Sequence, residues 1–325
     1  MAYDYKTALQ QFNIECSNAK LISSSSGNFI KMVYDINDNY ILEATNDENV
    51  NENKIHEMNK LISRYIEFGI ICPQYIQTNE DKYIYFDGEY STTVREKTDG
   101  ILLSDSKETN YLNIVKELYA YLGKYSSKYK NQDLLQTKSP YSLFDLSPLD
   151  SEMDEREVNL HLLCDMLKKA GFTDLCNKLI KFNDKIRQEL KEIYKKLPRC
   201  NYHGTLNNKS ILVKDNHFVG LDDFSVCGSE VVVNYFSCEA RVDLSEDDFI
   251  TMPATEICNK ILKSHRNSLN LILQNYELLP IEKKALDLYN KLLYISGFHY
   301  YQIYKNVLRT KDRNKVTSLL FMLIV

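Results

Sequence analysis

The 325-residue sequence has no tryptophan, no Cys-x-x-Cys pair, no excess of basic charge and no apolar run near membrane-spanning length. The missing tryptophan, beside 24 tyrosines, carries no mechanism. The eight cysteines (16, 72, 164, 176, 200, 227, 238 and 258) lack the clustered spacing of zinc sites or disulfide frameworks, and are expected to be reduced and structural. Forty basic residues against 45 acidic ones leave a formal net charge of −5, which offers nucleic acid no basic field. The longest apolar run, residues 319–325, falls far short of the ~20 residues a bilayer needs, and no apolar stretch after a charged start marks a signal peptide. These absences predict a soluble, cytoplasmic chain with neither nucleic acid nor membrane as partner.

What is present suits a large core. The hydrophobic fraction is 44%, and the length exceeds the roughly 250–300 residues at which single cores stop growing, so two lobes are expected. Apolar spacing predicts a helix over 6–16, strands over 20–24, 29–34 and 40–44, and a polar turn from Ser23 to Asn28. Ile55, Met58, Leu61, Ile62 and Tyr65 recur at helical spacing within 52–69, with Gly69 as the stop. Further strands are expected at 74–77, 82–86 and 89–96. Beyond 111 the pattern turns helical, with a stripe of Leu112, Val115, Leu118, Tyr119 and Leu122, a loop over 131–150, and helices over 160–167, 172–197, 254–273, 281–304 and 316–325. The aromatic run Phe298, Tyr300, Tyr301 and Tyr304 reads as core. The fold class is α+β: a five-stranded antiparallel sheet plus one helix over 1–100, then a helical lobe over 101–325.

Residues 200–224 carry the densest polar signal. His203 and Gly204 stand in a polar loop; Ile211, Leu212 and Val213 form an apolar strand; a Lys-Asp-Asn turn follows; and a second strand, 217–221, runs into Asp222 and Asp223. This stretch resembles the catalytic centre of the aminoglycoside phosphotransferase and choline kinase-like family, which carries His-Gly-Asp, an Asn five residues after that Asp, a hydrophobic hairpin, and Ile-Asp-Phe or Ile-Asp-Trp. The resemblance covers about residues 17–310 and implies a two-lobed protein-kinase-like fold, with ATP and Mg2+ as cofactors.

In that chemistry the first Asp accepts the proton of the attacking hydroxyl, while the Asn and the second Asp hold metal ions on the nucleotide phosphates. His203, Gly204, Asp223 and Phe224 match. The catalytic positions do not: Thr205 replaces the Asp and Ser210 the Asn. His203 is expected to be structural, and Asp223 to bind metal, with Asp222 on the alternate face of the strand. In the small lobe the resemblance implies nucleotide contacts at Ser26 and Gly27, and at the third strand, where the usual Lys or Arg is Glu43. A carboxylate ~4 Å from a phosphate oxygen would cost on the order of 4 kcal/mol at an effective dielectric near 20. Lys31 is the candidate displaced cation, Glu57 the helix carboxylate that pairs with the strand lysine, and Lys97 lies in the expected hinge, 93–103. Asn234 stands where the family has an Asp beneath the catalytic loop.

Losing the general base costs roughly 10²–10⁴-fold. The reading is therefore a pseudokinase that acts by ligand binding or as a structural or regulatory component, with nucleotide or another small molecule bound weakly or not at all and a protein partner left open. The alternative is an ATP-dependent phosphotransferase acting on a small hydroxyl-bearing substrate, because phosphoryl transfer rests mainly on positioning and electrostatics. Residues 73–88 also resemble spore-coat kinase-like and homoserine kinase-like proteins, the former implying a coat component without catalytic duty.

Overall fold

The computed structural model describes residues 3–27, 29–107, 111–310 and 313–324. Asp4 opens α1 (Tyr5–Gln11) by accepting the Lys6 and Thr7 amides, and Asn13, at φ 56°, turns the chain away before the expected end of the helix. β1 (Ala19–Ser26), β2 (Ile30–Ile36) and β3 (Tyr40–Thr45) form an antiparallel meander. The serines expected in the first turn are strand residues, with Ser26 opposite Ile30 and Ser25 opposite Lys31. An exposed edge strand with an irregularity between Leu21 and Ser23 tolerates their weak strand preference. The turn is correspondingly shorter, and its Asn28 lies outside the described residues. Asn37 and Asp38, both left-handed, close the next hairpin.

Asn51 caps α2 (Glu52–Glu67) by accepting the Lys54 amide, and the five spaced apolar residues are its buried face. Gly69, at φ 90°, ends the helix with the Ile70 amide reaching back to the Tyr65 carbonyl. Of the strands expected at 74–77 and 82–86, only β4 (Tyr85–Phe86) forms, with Tyr75 making one bridge to Arg95. β5 (Ser91–Glu96) completes a sheet of order β1-β2-β3-β5-β4. One sheet face packs Ile36, Leu42, Ala44 and Val94 against Ala8 and Leu9 of α1 and Phe12 just after it. By the alternation of side chains, Lys31, Glu43 and Arg95 share the opposite face.

Within the expected hinge the chain forms a short strand, β6 (Ile101–Leu102). In α3 (Tyr111–Tyr129) the buried stripe is Ile114, Leu118, Tyr119, Leu122 and Tyr125, whereas Leu112, expected in the stripe, is 73% exposed. Asp154 caps α4 (Glu155–Lys169), extending it N-terminally beyond the expected start. α5 (Thr173–Ile193) leads into β7 (Arg199–Tyr202). β8 (Ile211–Lys214) and β9 (His217–Leu221) form the expected hairpin around left-handed Asp215 and Asn216. β10 (Gly228–Val231) pairs with β7, and β8 pairs with β6. The remainder is helical: α6 (Val232–Glu239), α7 (Asp248–Thr251), α8 (Ala254–Leu273), α9 (Pro280–Ser296), α10 (Phe298–Thr310) and α11 (Arg313–Leu323). The single helix expected over 281–304 is two, because Gly297 leaves α9 with an extended ψ. Val325, the end of the last expected helix, lies outside the described residues.

The chain divides into two compact units, Met1–Ile114 with His203–Cys227 and Val115–Tyr202 with Gly228–Val325. The sequence reading divides the chain at residue 100 and gives 200–224 to the helical lobe; here 203–227 belongs with the sheet. Backbone pairing explains this: β8 bonds β6, and Ile71 exchanges hydrogen bonds with Val219 and Leu221 of β9. The approach is so close that a side chain at Gly220 would collide with the Ile71 carbonyl. In the helical unit, Leu163, Leu179, Ile261, Ile295, Tyr304 and Leu319 pack in one core, which Tyr300 and Tyr301 join; Phe298 is 56% exposed instead. All eight cysteines are free thiols. Among the described residues no helix is long and apolar enough to cross a membrane.

Candidate functional site

The predicted catalytic loop and acid pair come together within the sheet-containing unit. Gly204 sits at φ 122°, and a Cβ there would meet the Val226 side chain at 2.6 Å and its carbonyl oxygen at 2.7 Å, so only glycine fits the turn. His203 is buried beside it. Its amide donates to the Tyr65 hydroxyl (3.1 Å), and its Nε2–H donates to the Asp222 carbonyl (2.5 Å). The Phe224 ring packs edge-on at 4.6 Å. Burial lowers the His203 pKa against the opposing pull of that carbonyl bond and the two carboxylates, leaving a neutral ring that ties the loop to the end of β9.

The two replaced positions are structural in their contacts. The Thr205 hydroxyl accepts the Asn207 side-chain amide at 3.2 Å. Ser210 is 3% exposed; its Oγ accepts the Asn207 amide (3.1 Å) and faces the carbonyls of Thr205 (3.0 Å) and Asn207 (3.1 Å), either of which its one proton can serve. Its oxygen is thus engaged in closing the loop on itself.

The acid pair splits. Asp222 is bound in a bidentate pair by Arg95 of β5, at 2.7 Å and 3.3 Å, with side-chain exposures of only 16% and 20%. Burial works against the Arg95 charge, and Asp222, Tyr75 and Glu43 more than restore it. Asp223 stands in a left-handed conformation, φ 58°, a strained backbone for a residue with a side chain. Burial alone would raise its carboxyl, but hydrogen bonds from Ser225, together with the charge of Lys31, bring it below the ordinary value. Asp223 is thus an anion that Ser225 and the Lys31 charge help to hold, while Asp222 is occupied.

Lys31 lies 2.8 Å from Glu43, so the third-strand carboxylate and the candidate displaced cation form a pair across β2 and β3. The Tyr75 phenol is raised by burial, with the Arg95 charge opposing the shift and Glu43 and Asp223 adding to it. Lys31, Glu43, Arg95, Asp222 and Asp223 make one cluster of two cations and three carboxylates. Glu57 is half-buried on α2, and its charge reaches Cys227, whose thiol burial pushes up to about 12, with Lys54 opposing and Glu57 adding. The other predicted positions lie elsewhere: Lys97 pairs with Asp35 at 2.7 Å, Ser26 ends β1, and Gly27 has open space around it. Asn234, in the helical unit, holds Arg156 at 2.7 Å and the Tyr141 carbonyl at 2.8 Å.

Sequence reasoning missed Arg95 and Tyr75. The available signal was charge on an otherwise uncharged strand interior, Ser-Thr-Thr-Val-Arg, two residues from the position facing Glu43. A half-buried arginine there requires a carboxylate partner.

Among the described residues no group of three or more His, Cys, Asp and Glu side chains is placed to hold a metal ion. Mg2+ is ordinarily held by one or two carboxylates together with phosphate oxygens. Asp223 alone fits that requirement, so a cation here depends on the phosphates it would accompany.

A five-stranded sheet interspersed with α1 and α2, a loop and hairpin carrying His-Gly and Asp-Phe, and a helical remainder define the protein-kinase-like fold of the aminoglycoside phosphotransferases and related small-molecule kinases. Amicoumacin kinase, solved with AMP-PNP and Ca2+, matches with a TM-score of 0.54 at 15% identity over 99% of this chain and 92% of its own. The microcompartment-associated aminopropanol kinase matches at 0.53 and 13% identity, over 98% and 93%. The ADP-bound aminoglycoside phosphotransferase APH(2'')-Ib matches at 0.50 and 12% identity, over 97% and 95%. At such identities the likeness is one of fold, and there the expectation from residues 203–224 is met. No protein-family model matches the sequence, and no curated protein does.

Proposed function

We propose that this chain is a phosphotransferase-fold protein that has lost phosphoryl transfer and works by binding, with a nucleotide and its divalent cation as the ligand class. One observation carries the reading: the loop that in this fold offers a base and a metal-binding amide here offers Thr205 and Ser210, the latter closed on its own backbone. A threonine hydroxyl is no base near neutral pH, and losing general base catalysis typically costs roughly 10²–10⁴-fold. The nucleotide is favoured because the solved neighbours of like fold hold AMP-PNP or ADP, and because Asp223, exposed and held below the ordinary carboxylate value, keeps a carboxylate where a phosphate-bound cation would need one.

Thermal unfolding with ATP, with and without magnesium, tests this. Ligand at 100-fold excess over Kd adds ~2.7 kcal/mol to the folded state. The reading expects a magnesium-dependent rise that Asp223→Ala abolishes. Transfer of the γ-phosphate to a hydroxyl acceptor at kinase rates would overturn it.

A further inference from the structure

We infer that Lys31, on β2, is the phosphate-binding cation of this site, and that Glu43 holds it as an internal competitor, so that a cation-complexed polyphosphate binds only by displacing a carboxylate of the protein. This rests on the proposed nucleotide-binding reading and specifies how that site is regulated.

Three observations support it. The register places Val33 opposite Glu43 and Lys31 opposite Thr45, which makes Lys31 and Glu43 diagonal neighbours on the sheet face opposite α1. Their charged atoms lie 2.8 Å apart, the distance at which an ammonium holds a phosphate oxygen. Lys31 also acts on Asp223, its charge helping to lower that carboxyl, so the cation is coupled to the residue that would carry the metal as well as to the resident carboxylate. The other cation of the cluster is unavailable, because both terminal nitrogens of Arg95 are bound to Asp222.

The Lys31–Glu43 pair is open to solvent, with side-chain exposures of 43% and 29%, whereas Arg95–Asp222 is not. An exposed pair is weak and exchanges readily. The sheet therefore joins a fixed ion pair that holds the 222–224 turn to a loose one that can open. An incoming polyphosphate meets Glu43 at the cation it needs, and removing that one negative charge should open the site without rebuilding it.

The test is isothermal titration of the full chain with magnesium tripolyphosphate and with magnesium ATP. Glu43→Gln keeps the shape of the side chain and removes its charge. It should bind both ligands at least tenfold more tightly than the wild type, and Lys31→Gln in the same chain should erase the gain. An unchanged or weaker affinity in Glu43→Gln overturns the inference, as does a gain that survives Lys31→Gln; no measurable binding in either protein counts as no gain. The parent reading fails separately, on γ-phosphate transfer by the wild type, whatever the order of affinities.

Discussion

Arg95 and Asp222 show how a paired charge is tied to its partner. With four-fifths or more of each side chain covered, truncating one strands the other in a poorly solvated place. Arg95→Ala should cost about 2–3 kcal/mol in chemical denaturation, at or below the low end for fully buried pairs because solvent still reaches both groups. Adding Asp222→Leu should recover part of that loss, since the stranded carboxylate and not the missing attraction sets most of the cost. Thr205 and Ser210 differ in kind. Each already has partners in the loop, so Ser210→Ala should destabilise by about 1 kcal/mol, the net worth of the bonds its buried hydroxyl makes within the loop, since water can reach the amide of exposed Asn207.

The loop from His203 and the β8–β9 hairpin form one mechanical element, fastened by Tyr65 beneath and by Val226 against Gly204. Gly204→Ala must place a methyl group into Val226 while holding φ 122°, and is expected to cost at least about 2 kcal/mol in the same assay. At this scale the sequence was most readable. His203, Gly204, the turn at Asp215 and Asn216, and Asp223-Phe224 sit in a contiguous stretch where local spacing carries the shape. What it did not show depends on residues far apart. Arg95 meets Asp222 across 127 positions, and no local pattern announces that pairing. The polarity of the β1 serines is a turn signal, and their pairing with β2 outweighs that local preference. Chain order places residues 200–224 in the helical lobe, whereas β6 and Ile71 tie 203–227 into the sheet-containing unit through bonds that periodicity cannot forecast.

For the whole molecule, stability should depend on pH through buried imidazole. His265, fully buried, bonds the Tyr294 hydroxyl and the Ser237 carbonyl, and burial pushes its pKa down to about 4 against the pull of that carbonyl. In the unfolded chain it titrates near 6.5, so its contribution is whole above about pH 6.5 and is lost as pH falls toward 4, by about 3 kcal/mol. Glu155 and Glu230, raised by burial, act in the opposite sense, because the folded state keeps their protons to higher pH. Urea midpoints at pH 7 and pH 4.5 should therefore fall further apart in the wild type than in His265→Gln. The proposed function turns on Thr205 and Ser210 standing where the resembled kinases carry a base and a metal-binding amide. The most direct measurement is transfer of labelled γ-phosphate from magnesium ATP to a set of hydroxyl acceptors by the wild-type chain, at saturating nucleotide. The account predicts transfer no faster than the protein-free background; turnover of about 1–100 per second, the usual range of kinases, would contradict it.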